Sequence, residues 1–588
     1  MDTKVLRKTT QHLMPASPEK QQGKYDIYPG FEIGSGKIFR GYSGLAAQLK
    51  DVQFLRIDGF IGVQWELMQQ QLTQILGDRQ IQWLDLCDAM KSPAEISEMV
   101  APYLGGDDPI FGKRCLLNIQ EFFETEKLNA WAQPVSEDLV IAFGCGAALL
   151  NWEGPLWYAD VPKNELQFRS RAAAVTNFGN DVAEAPKPMY KRYYFVDWPV
   201  LNAHKQAILS KIDIVVDEQR PEDISWMSGA DLREGLNAMS RTAFRPRPWF
   251  EPGAWGGQWM KERFKQLNED VPNYAWSFEL IYPENGICFA SDNTLLEVSF
   301  DCLMFNDAKA ILGDAEERFG VEFPIRFDYL DTFDGGNLSV QCHPRPEYIK
   351  EHFGENFTQD ETYYILDCED DAEVYLGFQE GVTPEAFESK LKWSQEEATD
   401  FDITEYVQNF PAKKHDLFLI PNGTIHASGT NNMVLEISAT PYIFTFKMYD
   451  WMRVDLDGKP RPINIDRGME NLYFDRQGDK VEKELISKPY VKESFDGGVL
   501  MHLPTHEKHF YDIFRYDFQG QVIVPANNQA HLLMVVEGEA VEVTTADGKK
   551  QVFQYAETFV LPAAAGGYEL KSLGDQPIKV IQSYVRTN

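Results

Sequence analysis

The chain has 588 residues, of which 44% are hydrophobic and 25% charged, and its formal net charge at pH 7 is −34. This composition is typical of a soluble globular protein, and the length predicts two to four domains. The acidic excess repels polyanions and no apolar run is long enough to span a bilayer, so we expect neither a nucleic-acid nor a membrane partner. An anionic substrate would need a locally basic pocket.

The first 24 residues are polar and lack the apolar core of a secretory signal, so we predict a polar tail over 1–24. Seven cysteines are scattered along the chain without a CxxC pair. This pattern is typical of reduced thiols and predicts a cytoplasmic protein. It also argues against a cysteine-based zinc finger, so any metal ion must be held by histidine and carboxylate side chains.

Residues 25–215 alternate apolar runs with helical patterns. The run DVQFLRIDGF precedes the helical pattern WELMQQQLTQIL, and the further runs LVIAFGCGAALL and RYYFVDW read as buried strands. The alternation predicts an α/β domain whose parallel sheet is covered on both faces. The polar stretch DEQRPEDISWMSGADLREG then predicts a domain linker near 213–225.

The turn Asp58–Gly62 in this domain resembles the phosphate-binding turn of P-loop kinases, and Asp160-Val-Pro-Lys-Asn-Glu165 resembles a later part of nucleoside kinases. A working P-loop needs G-x4-G-K-[ST], whereas Val63 and Gln64 follow the glycine here. We therefore interpret 25–215 as a degenerate kinase-like domain that does not catalyse phosphoryl transfer. Retained nucleotide or sugar binding is left open.

From about residue 235 short alternating runs recur between Gly, Pro and Asn turns, which is typical of a β-sandwich or barrel. We predict a mainly-β domain over 225–498, interrupted by a helical insertion that includes EYIKEHFGEN and EAFESKLKW. A second β domain is predicted over 499–588. The predicted fold class is therefore multidomain, with an N-terminal α/β P-loop-like sheet domain followed by mainly-β barrels.

Four polar side chains of the 225–498 domain form a candidate metal site. Gln341 and His343 lie on the same face of a strand, because successive side chains alternate. Glu361 begins an apolar strand, where a cation would offset the cost of burying a carboxylate. The spacing D-x4-P-x-G-x-x-H from Asp416 to His426 is the second motif of cupin barrels. This ligand set favours Zn²⁺ over Mg²⁺, while two histidines and a carboxylate also suit Fe(II).

The 499–588 domain carries a decayed form of the same motif. Glu557-x4-Pro562 is followed by Ala564 and Gly567 at the positions where glycine and histidine are expected. We therefore predict a cupin-like barrel without metal ligands. A polar segment of this domain, MHLPTHEKHF, is predicted to be a solvated loop with the histidines His502, His506 and His509.

Several segments resemble the class I mannose-6-phosphate isomerases. The family's LSVQVHPDD is similar to LSVQCHP here, its TECWYIID to DETYYILD, its IPAGTIHAIG to IPNGTIHASG, and its EIQQSSDTTYRVYDWGR to EISATPYIFTFKMYDWMR. The family's WGG signature is matched at Trp255–Gly257. The resemblance covers roughly 235–470. It implies a zinc-dependent enzyme that interconverts mannose 6-phosphate and fructose 6-phosphate through a cis-enediol, with zinc on the four residues named above.

The same resemblance places substrate contacts on three cations. The family's arginine before YDW falls on Lys447, its final arginine in this segment on Arg453, and the lysine of FPLLIKF on Arg326. We predict that these residues bind the sugar phosphate. For Arg453 an ion pair with Asp450 or Asp455 is the structural alternative.

The resemblance also places the family's strand glutamate on Glu436, which we predict to be the general base. The alternative for Glu436 is a strand carboxylate paired with a basic side chain. Lysine at 447 and the pair Ser438-Ala439 depart from the family pattern and leave the identity of the sugar phosphate open. Two further functions are considered: a cupin isomerase or Fe(II) oxygenase for another sugar, and a non-catalytic sugar- or nucleotide-binding protein.

Overall fold

The chain folds into two compact units. The computed structural model describes residues 5–19, 23–106, 108–131, 138–454, 458, 461 and 463–586. The first unit contains Tyr28–Ser240 and Pro283–Ala308 together with the segment 5–19. The second unit contains Arg241–Tyr282, the chain from Lys309 onward and the short segment 23–27. Multidomain organisation is therefore confirmed.

A seven-stranded sheet forms the centre of the first unit. Its strands, in spatial order, are Phe39–Arg40, Ser225–Ser228, Ile214–Asp217, Leu156–Asp160, Phe54–Gly59, Leu139–Phe143 and Ile81–Asp85. The last five run parallel to one another, and Ser225–Ser228 pairs antiparallel with both of its neighbours. The two strands that flank Phe54–Gly59 are buried along their whole length, which explains their unbroken apolar runs.

Eight α-helices lie between Tyr42 and Met239 in the described part of the unit. They are Tyr42–Ala47, Trp65–Leu76, Pro93–Val100, Thr125–Ala130, Lys163–Arg171, Pro186–Arg192, Trp198–Ile208 and Gly229–Met239. RYYFVDW is helical rather than the predicted strand, because the π-helix Tyr193–Asp197 joins two of these helices. A short apolar run fits a buried helix as well as a strand. None of the helices in the described part of the chain is both long and apolar enough to cross a membrane.

The predicted linker near 213–225 is wrong. Ile214–Asp217 is a strand inside the sheet and Ser225–Ser228 pairs with it, so the first unit continues to Ser240. The polar residues Asp217, Glu218, Gln219 and Arg220, which suggested a linker, are buried and paired. Arg169 donates to the Glu218 carboxylate, and the Gln219 backbone N–H and side chain both bond to Asp217.

The polar tail prediction is also wrong for the described residues 5–19. Met14 is fully buried and Ala16 is 5% exposed. Arg7 forms an ion pair with Glu165 at 3.0 Å, and the backbone N–H of Leu295 donates to the Ala16 carbonyl at 2.8 Å. Hydrogen bonds to the fold, rather than local composition, order this segment.

A hairpin that the sequence places in the β domain belongs to the first unit instead. Its strands, Gly286–Ser291 and Thr294–Ser299, form a three-stranded sheet with Gly30–Glu32. The backbone N–H groups of Ser299 and Glu297 donate at 3.0 Å to the carboxylates of Asp160 and Asp217. The helix Asp301–Leu312, which has a break at Asp307, follows the hairpin.

Two antiparallel sheets build the first barrel of the second unit. One sheet has six strands in the order Leu417–Ile420, Glu361–Cys368, Asn432–Ala439, Ile325–Asp331, Trp276–Leu280 and Trp249–Glu251. The other has five strands in the order Val407–Pro411, Glu373–Phe378, His426–Ser428, Val340–Cys342 and Phe446–Tyr449. The helices of this region are Trp259–Arg263, Glu316–Phe319, Pro346–Phe353, Pro384–Glu397, Ile465–Asn471 and Asp479–Leu485.

Two further sheets form the second barrel. One has the order Tyr490–Phe495, Gly498–Leu503, Tyr511–Phe518, Ile578–Val585, His531–Glu537 and Thr558–Leu561. The other has the order Gln521–Val524, Tyr568–Leu573, Ala540–Thr544 and Lys550–Gln554. Leu533, Val541, Phe559 and Leu570 belong to the apolar core of this barrel. The barrel begins at Tyr490, earlier than the predicted 499, because Tyr490–Phe495 pairs with the next strand.

Candidate metal centre

Side chains from both sheets of the first barrel meet at one point. Gln341 and His426 are direct partners on neighbouring antiparallel strands, so their side chains share a face. His343 lies two residues beyond Gln341 and so points to that face as well. Glu361 begins its strand in the other sheet. The structure thus brings together the four residues that the sequence predicted as ligands.

The distances fit a single small ion. Glu361 Oε2 lies 3.0 Å from His343 Nε2 and 3.4 Å from His426 Nε2, and all three residues are buried. One ligand atom of each lies within 4.8 Å of the others, the only such group of three or more His, Cys, Asp or Glu found among the described residues. Three buried donors at this spacing suit a metal ion, which would bind the lone pairs they turn toward each other.

Backbone carbonyls fix both histidine rings. His343 Nδ1 lies 3.1 Å from the Phe444 carbonyl, and His426 Nδ1 lies 2.9 Å from the Thr424 carbonyl. Because a carbonyl only accepts, each Nδ1 carries the proton and each Nε2 presents its lone pair to the site. Burial also lowers the pKa of His426, which keeps its imidazole neutral and able to ligate a cation.

Charge is balanced around the Glu361 carboxylate. Burial by itself raises the pKa of Glu361, but hydrogen bonding and charge at the His343 and His426 rings hold the pKa well below its usual range. A cation bound between Glu361 and two neutral imidazoles would act on this pKa in the same direction. Arg326 Nη2 donates to Glu361 Oε1 at 3.0 Å, which leaves Oε2 directed at the histidines. The carboxylate is therefore ionised and oriented as a ligand would be.

Gln341 completes the group with a polar amide. Its Nε2 lies 3.4 Å from His426 Nε2, and its Oε1 accepts a hydrogen bond from Ser339 Oγ at 3.0 Å. A half-turn of the amide would present Oε1, the atom that ligates metal ions, to the site. The residue is placed to serve as a fourth ligand.

Glu436 lies on the neighbouring rung of the same barrel interior. Its direct cross-strand partners are Asp328 and Tyr363, and Ser438 Oγ donates to its Oε1 at 2.7 Å. Burial raises the pKa of Glu436 well above its usual range, although Arg326 opposes the shift. The arginine forms a hydrogen bond and ion pair with Glu436 as well. Glu436 therefore shows a feature of each interpretation. Its pKa is raised, as expected of a general base, and it is paired with a basic side chain, as expected of a structural carboxylate.

Arg326 does not provide the predicted phosphate contact. It is 3% exposed and donates to the Ala439 carbonyl and to the carboxylates of Asp328, Glu361 and Glu436. Every donor nitrogen of its guanidinium is thus engaged inside the barrel. Sequence pattern alone could not distinguish this buried role from substrate binding.

The other two predicted cations differ in setting. Lys447 is the cross-strand partner of Gln341, so its side chain starts from the same face. Arg453 donates to Asp450 Oδ1 at 2.7 Å, and Arg461 lies 3.1 Å from the same carboxylate. The structure therefore contains the ion pair with Asp450, one of the two pairs considered as the structural alternative for Arg453. The other alternative partner, at 455, lies outside the described residues.

Sequence reasoning missed four buried side chains near the candidate ligands. Each has at least one polar atom that finds no hydrogen-bond partner among the described residues: Gln359 Oε1, Tyr363 OH, Asn422 Oδ1 and both ring nitrogens of His509. An unpaired buried polar atom is costly and calls for a partner such as a water, an ion or a ligand. Gln359 and Tyr363 flank Glu361 at a spacing of two and could have been found by strand alternation.

The second barrel holds a different interior. Gly567 directly precedes the strand Tyr568–Leu573. It occupies the position where the cupin motif would have a histidine ligand. His531 is buried in this barrel, where its Nδ1 lies 2.9 Å from Tyr568 OH and 2.9 Å from Gln582 Nε2. Burial lowers the pKa of His531 to about 4. These contacts describe a satisfied core histidine.

The turn that resembles a P-loop is closed by the first unit's own side chains. The Gln64 backbone N–H at the start of the helix Trp65–Leu76 donates to Glu218 at 3.1 Å. The Asp58 carboxylate accepts backbone N–H groups of Gly146 and Ala148. Carboxylates therefore take the donors that would otherwise suit a phosphate. The kinase-like interpretation and nucleotide binding remain predictions without support from this geometry.

Comparisons with known proteins agree with this division of the chain. Residues 41–241 match the family model described as a domain of unknown function, DUF8485. The curated protein named “Probable mannose-6-phosphate isomerase GmuF”, from Bacillus subtilis (strain 168), is 25% identical over 325 residues, which are 55% of this chain and 94% of that protein. Mannose-6-phosphate isomerase ManA of the same organism is 22% identical over 329 residues, covering 56% and 96%.

Solved structures also match. The mannose 6-phosphate isomerase from Bacillus subtilis has a TM-score of 0.46 and 20% identity, covering 58% of this chain and 100% of that one. A zinc-bound mannose 6-phosphate isomerase has a TM-score of 0.46 and 14% identity, covering 59% and 100%. On the sequence matches, the chain is homologous to mannose-6-phosphate isomerases over about 55% of its length, in its mostly-β C-terminal part.

Proposed function

We propose that the second unit is a zinc-dependent aldose–ketose isomerase of a sugar phosphate, with mannose 6-phosphate and fructose 6-phosphate as the interconverted pair. The observation that carries this proposal is the convergence of three buried ligand atoms, His343 Nε2, Glu361 Oε2 and His426 Nε2. Homology to mannose-6-phosphate isomerases supports the reaction class. A bound zinc ion would supply Lewis acidity toward the carbonyl and hydroxyl oxygens of the sugar.

The chain's own residues would do the rest. His343, Glu361, His426 and Gln341 would hold the ion. Glu436 would take the proton from one of the two reacting carbons and return it to the other, through a cis-enediol. Burial raises its pKa, which makes the carboxylate a stronger base. Lys447, across from Gln341, would hold a substrate oxygen beside the ion, and we retain Arg453 as a weaker candidate for substrate contact.

Two measurements on the purified full chain test the proposal. Metal analysis should find about one zinc per chain, and a coupled assay should detect fructose 6-phosphate formed from mannose 6-phosphate. His343→Ala should lose both zinc and turnover. The matched control is His502→Ala. His502 pairs with Asp512 in the second barrel, and neither residue is a candidate ligand. Zinc without turnover on any hexose phosphate would exclude the isomerase, and iron with oxygen consumption would favour an oxygenase.

A further inference from the structure

Three cations surround one aromatic ring in the second unit. The guanidinium carbons of Arg345 and Arg476 lie 3.9 and 4.5 Å from the centroid of the Tyr473 ring, and Lys508 Nζ lies 4.1 Å from it. We call Arg345, Arg476 and Lys508 the cationic cluster. Such a concentration of positive charge is unexpected in a chain whose net charge is −34.

The cationic cluster forms no ion pair with any described residue. Arg345 donates to the carbonyls of Asn471 and Leu472 at 2.8 and 2.6 Å, and Arg476 donates to backbone carbonyls and a hydroxyl. Neutral acceptors position the guanidinium groups but do not cancel their charge. Burial lowers the pKa of Arg476 to about 10, and only 6% of this residue is exposed. The carboxylates of Asp475 and Asp360 offset part of the Arg476 charge without forming an ion pair with it. The remaining positive charge in this partly buried place favours binding of an anion.

His509 adds a second, independent observation. It is 1% exposed, and neither ring nitrogen has a hydrogen-bond partner among the described residues. Burial together with the nearby charges of His506, Arg586 and Arg476 depresses its pKa, so it lies in the field of the cationic cluster. The prediction of a solvated loop is therefore wrong for His509. An unpaired imidazole at this depth can donate one hydrogen bond to a ligand oxygen.

The cationic cluster adjoins the candidate metal ligands through short chain segments. Arg345 follows His343 by two residues. The Gly423 backbone N–H donates to the His343 carbonyl at 2.9 Å, and the Tyr473 backbone N–H donates to the Gly423 carbonyl at 2.9 Å. Arg476 binds the Pro421 carbonyl at 3.0 Å in the loop that leads to His426.

Gly423 shows how closely these parts pack. Its φ is 72°, and a Cβ at this position would lie 2.5 Å from Tyr473 Cδ2. Only glycine allows this backbone conformation and this approach together. Tyr473 and the cationic cluster are therefore held against the loop that precedes a candidate ligand.

We propose that the cationic cluster and His509 bind the phosphate group of the sugar-phosphate substrate, while its sugar end lies at the metal centre. This inference rests on the proposed function for the identity of the ligand. Two guanidinium groups, an ammonium and an imidazole match the oxygens and the double negative charge of a phosphate monoester. Gln359 Oε1, Tyr363 OH and Asn422 Oδ1, which have no hydrogen-bond partner among the described residues, would then face the sugar hydroxyls.

Inorganic phosphate is the probe that separates the binding site from the reaction. Its affinity for the zinc-loaded full chain is measured by calorimetry, for wild type and for Lys508→Glu. Lys508 is exposed, so the charge reversal should leave the fold intact, which circular dichroism checks. We expect phosphate affinity to fall at least tenfold. Lys571→Glu is the matched control, because Lys571 is exposed on another strand of the second barrel and should change affinity less than twofold.

A second variant tests the buried part of the site. His509→Phe keeps an aromatic ring stacked on Tyr511, which lies 5.1 Å away, but removes both ring nitrogens. We expect it to weaken phosphate binding severalfold. If neither Lys508→Glu nor His509→Phe weakens phosphate binding, the cationic cluster is not an anion site and the proposal fails.

The isomerase assay then distinguishes a phosphate group that belongs to the substrate from a separate anion. For a substrate phosphate, Lys508→Glu should raise KM for mannose 6-phosphate at least tenfold and leave kcat within twofold. If phosphate binding weakens but KM does not change, the cationic cluster binds a separate anion, and the assignment to substrate is overturned. If wild type binds phosphate through Lys508 but isomerises no hexose phosphate, the proposed function fails while the anion site stands.

Discussion

Arg326 and Glu361 share one hydrogen bond that sets the direction of a candidate metal ligand: Arg326 Nη2 donates to Glu361 Oε1 at 3.0 Å, while Glu361 Oε2 lies 3.0 Å from His343 Nε2. The arginine thus acts on the carboxylate as the backbone carbonyls act on the two histidines. Partners behind the ligands fix their orientation and strengthen metal binding. The barrel interior is therefore organised around Arg326 as much as around the ligands.

Replacing Arg326 by methionine should destabilise the fold. Asp328, Glu361 and Glu436 would lose a shared buried cation, and breaking a buried ion pair from one side costs about 3–5 kcal/mol. Urea denaturation of the metal-free full chain measures the loss. The control is Lys309→Met, whose ion pair with Glu316 is exposed and long at 3.8 Å and should matter by less than about 1 kcal/mol. Equal stability of the two variants would contradict the role given to Arg326.

Glu436→Gln should separate catalysis from metal binding. Glutamine keeps the size of the side chain and its hydrogen bonds to Ser438 and Arg326, but it cannot accept a proton from carbon. We expect normal zinc content and a kcat lowered by about 10²–10⁴. Asp367→Asn is the control, since Asp367 lies near the other end of the Glu361 strand and binds Trp259 Nε1. Activity of Glu436→Gln within tenfold of wild type would remove Glu436 as the base.

Sequence pattern was sufficient to find the candidate ligands because their geometry is local. Alternation along a strand places Gln341 and His343 on one face, and the spacing from Asp416 to His426 specifies a turn and the strand after it. Any barrel that pairs the strand of Gln341 with the strand of His426 brings these side chains to one face. The structure then brings the residues together with distances of 3.0–3.4 Å.

Long-range pairing could not be predicted in the same way. The hairpin Gly286–Ser299 alternates like its neighbours in sequence, yet it pairs with Gly30–Glu32 in the first unit. Alternation shows which face a side chain takes but does not identify the neighbouring strand. His509 was misplaced for a related reason, because its polar sequence neighbours do not reveal that tertiary contacts bury it.

Asp58 should be essential to the first unit for structural reasons. Its carboxylate is fully buried and accepts the backbone N–H groups of Gly59, Gly146 and Ala148 at 2.7–3.0 Å, with His204 Nε2 at 2.8 Å. Asp58→Ala would leave these donors unpaired, so we expect a loss of about 3 kcal/mol or more in the free energy of unfolding. Differential scanning calorimetry measures it.

The exposed Asp51 offers the control, as Asp51→Ala should change the free energy of unfolding by less than about 0.5 kcal/mol. A similar small effect of Asp58→Ala would show that the strand-end carboxylate is dispensable. It would also reopen the turn as a place where an external anion could bind.

His415 should make the second unit sensitive to mild acid. Its Nδ1 lies 2.7 Å from Tyr364 OH in the first barrel, and its Nε2 lies 2.7 Å from Glu537 Oε2 in the second. Burial, with help from the nearby Arg515 and Lys579, lowers the pKa of His415 to about 4, against 6.5 in the unfolded chain. The folded state therefore binds fewer protons, so stability present above pH 6.5 is lost as the pH falls toward 4.

Urea midpoints at pH 6.5 and 5.5 test this. Wild type should lose about 1 kcal/mol more than His415→Gln over that interval, because glutamine keeps polar contacts but does not titrate. His352→Gln, at an exposed histidine, should behave like wild type. Glu537, whose pKa is lowered to about 2, contributes in a separate window below pH 4.5 and does not affect the comparison. Equal losses in wild type and His415→Gln would show that His415 is not the residue that couples the joint between the two barrels to pH.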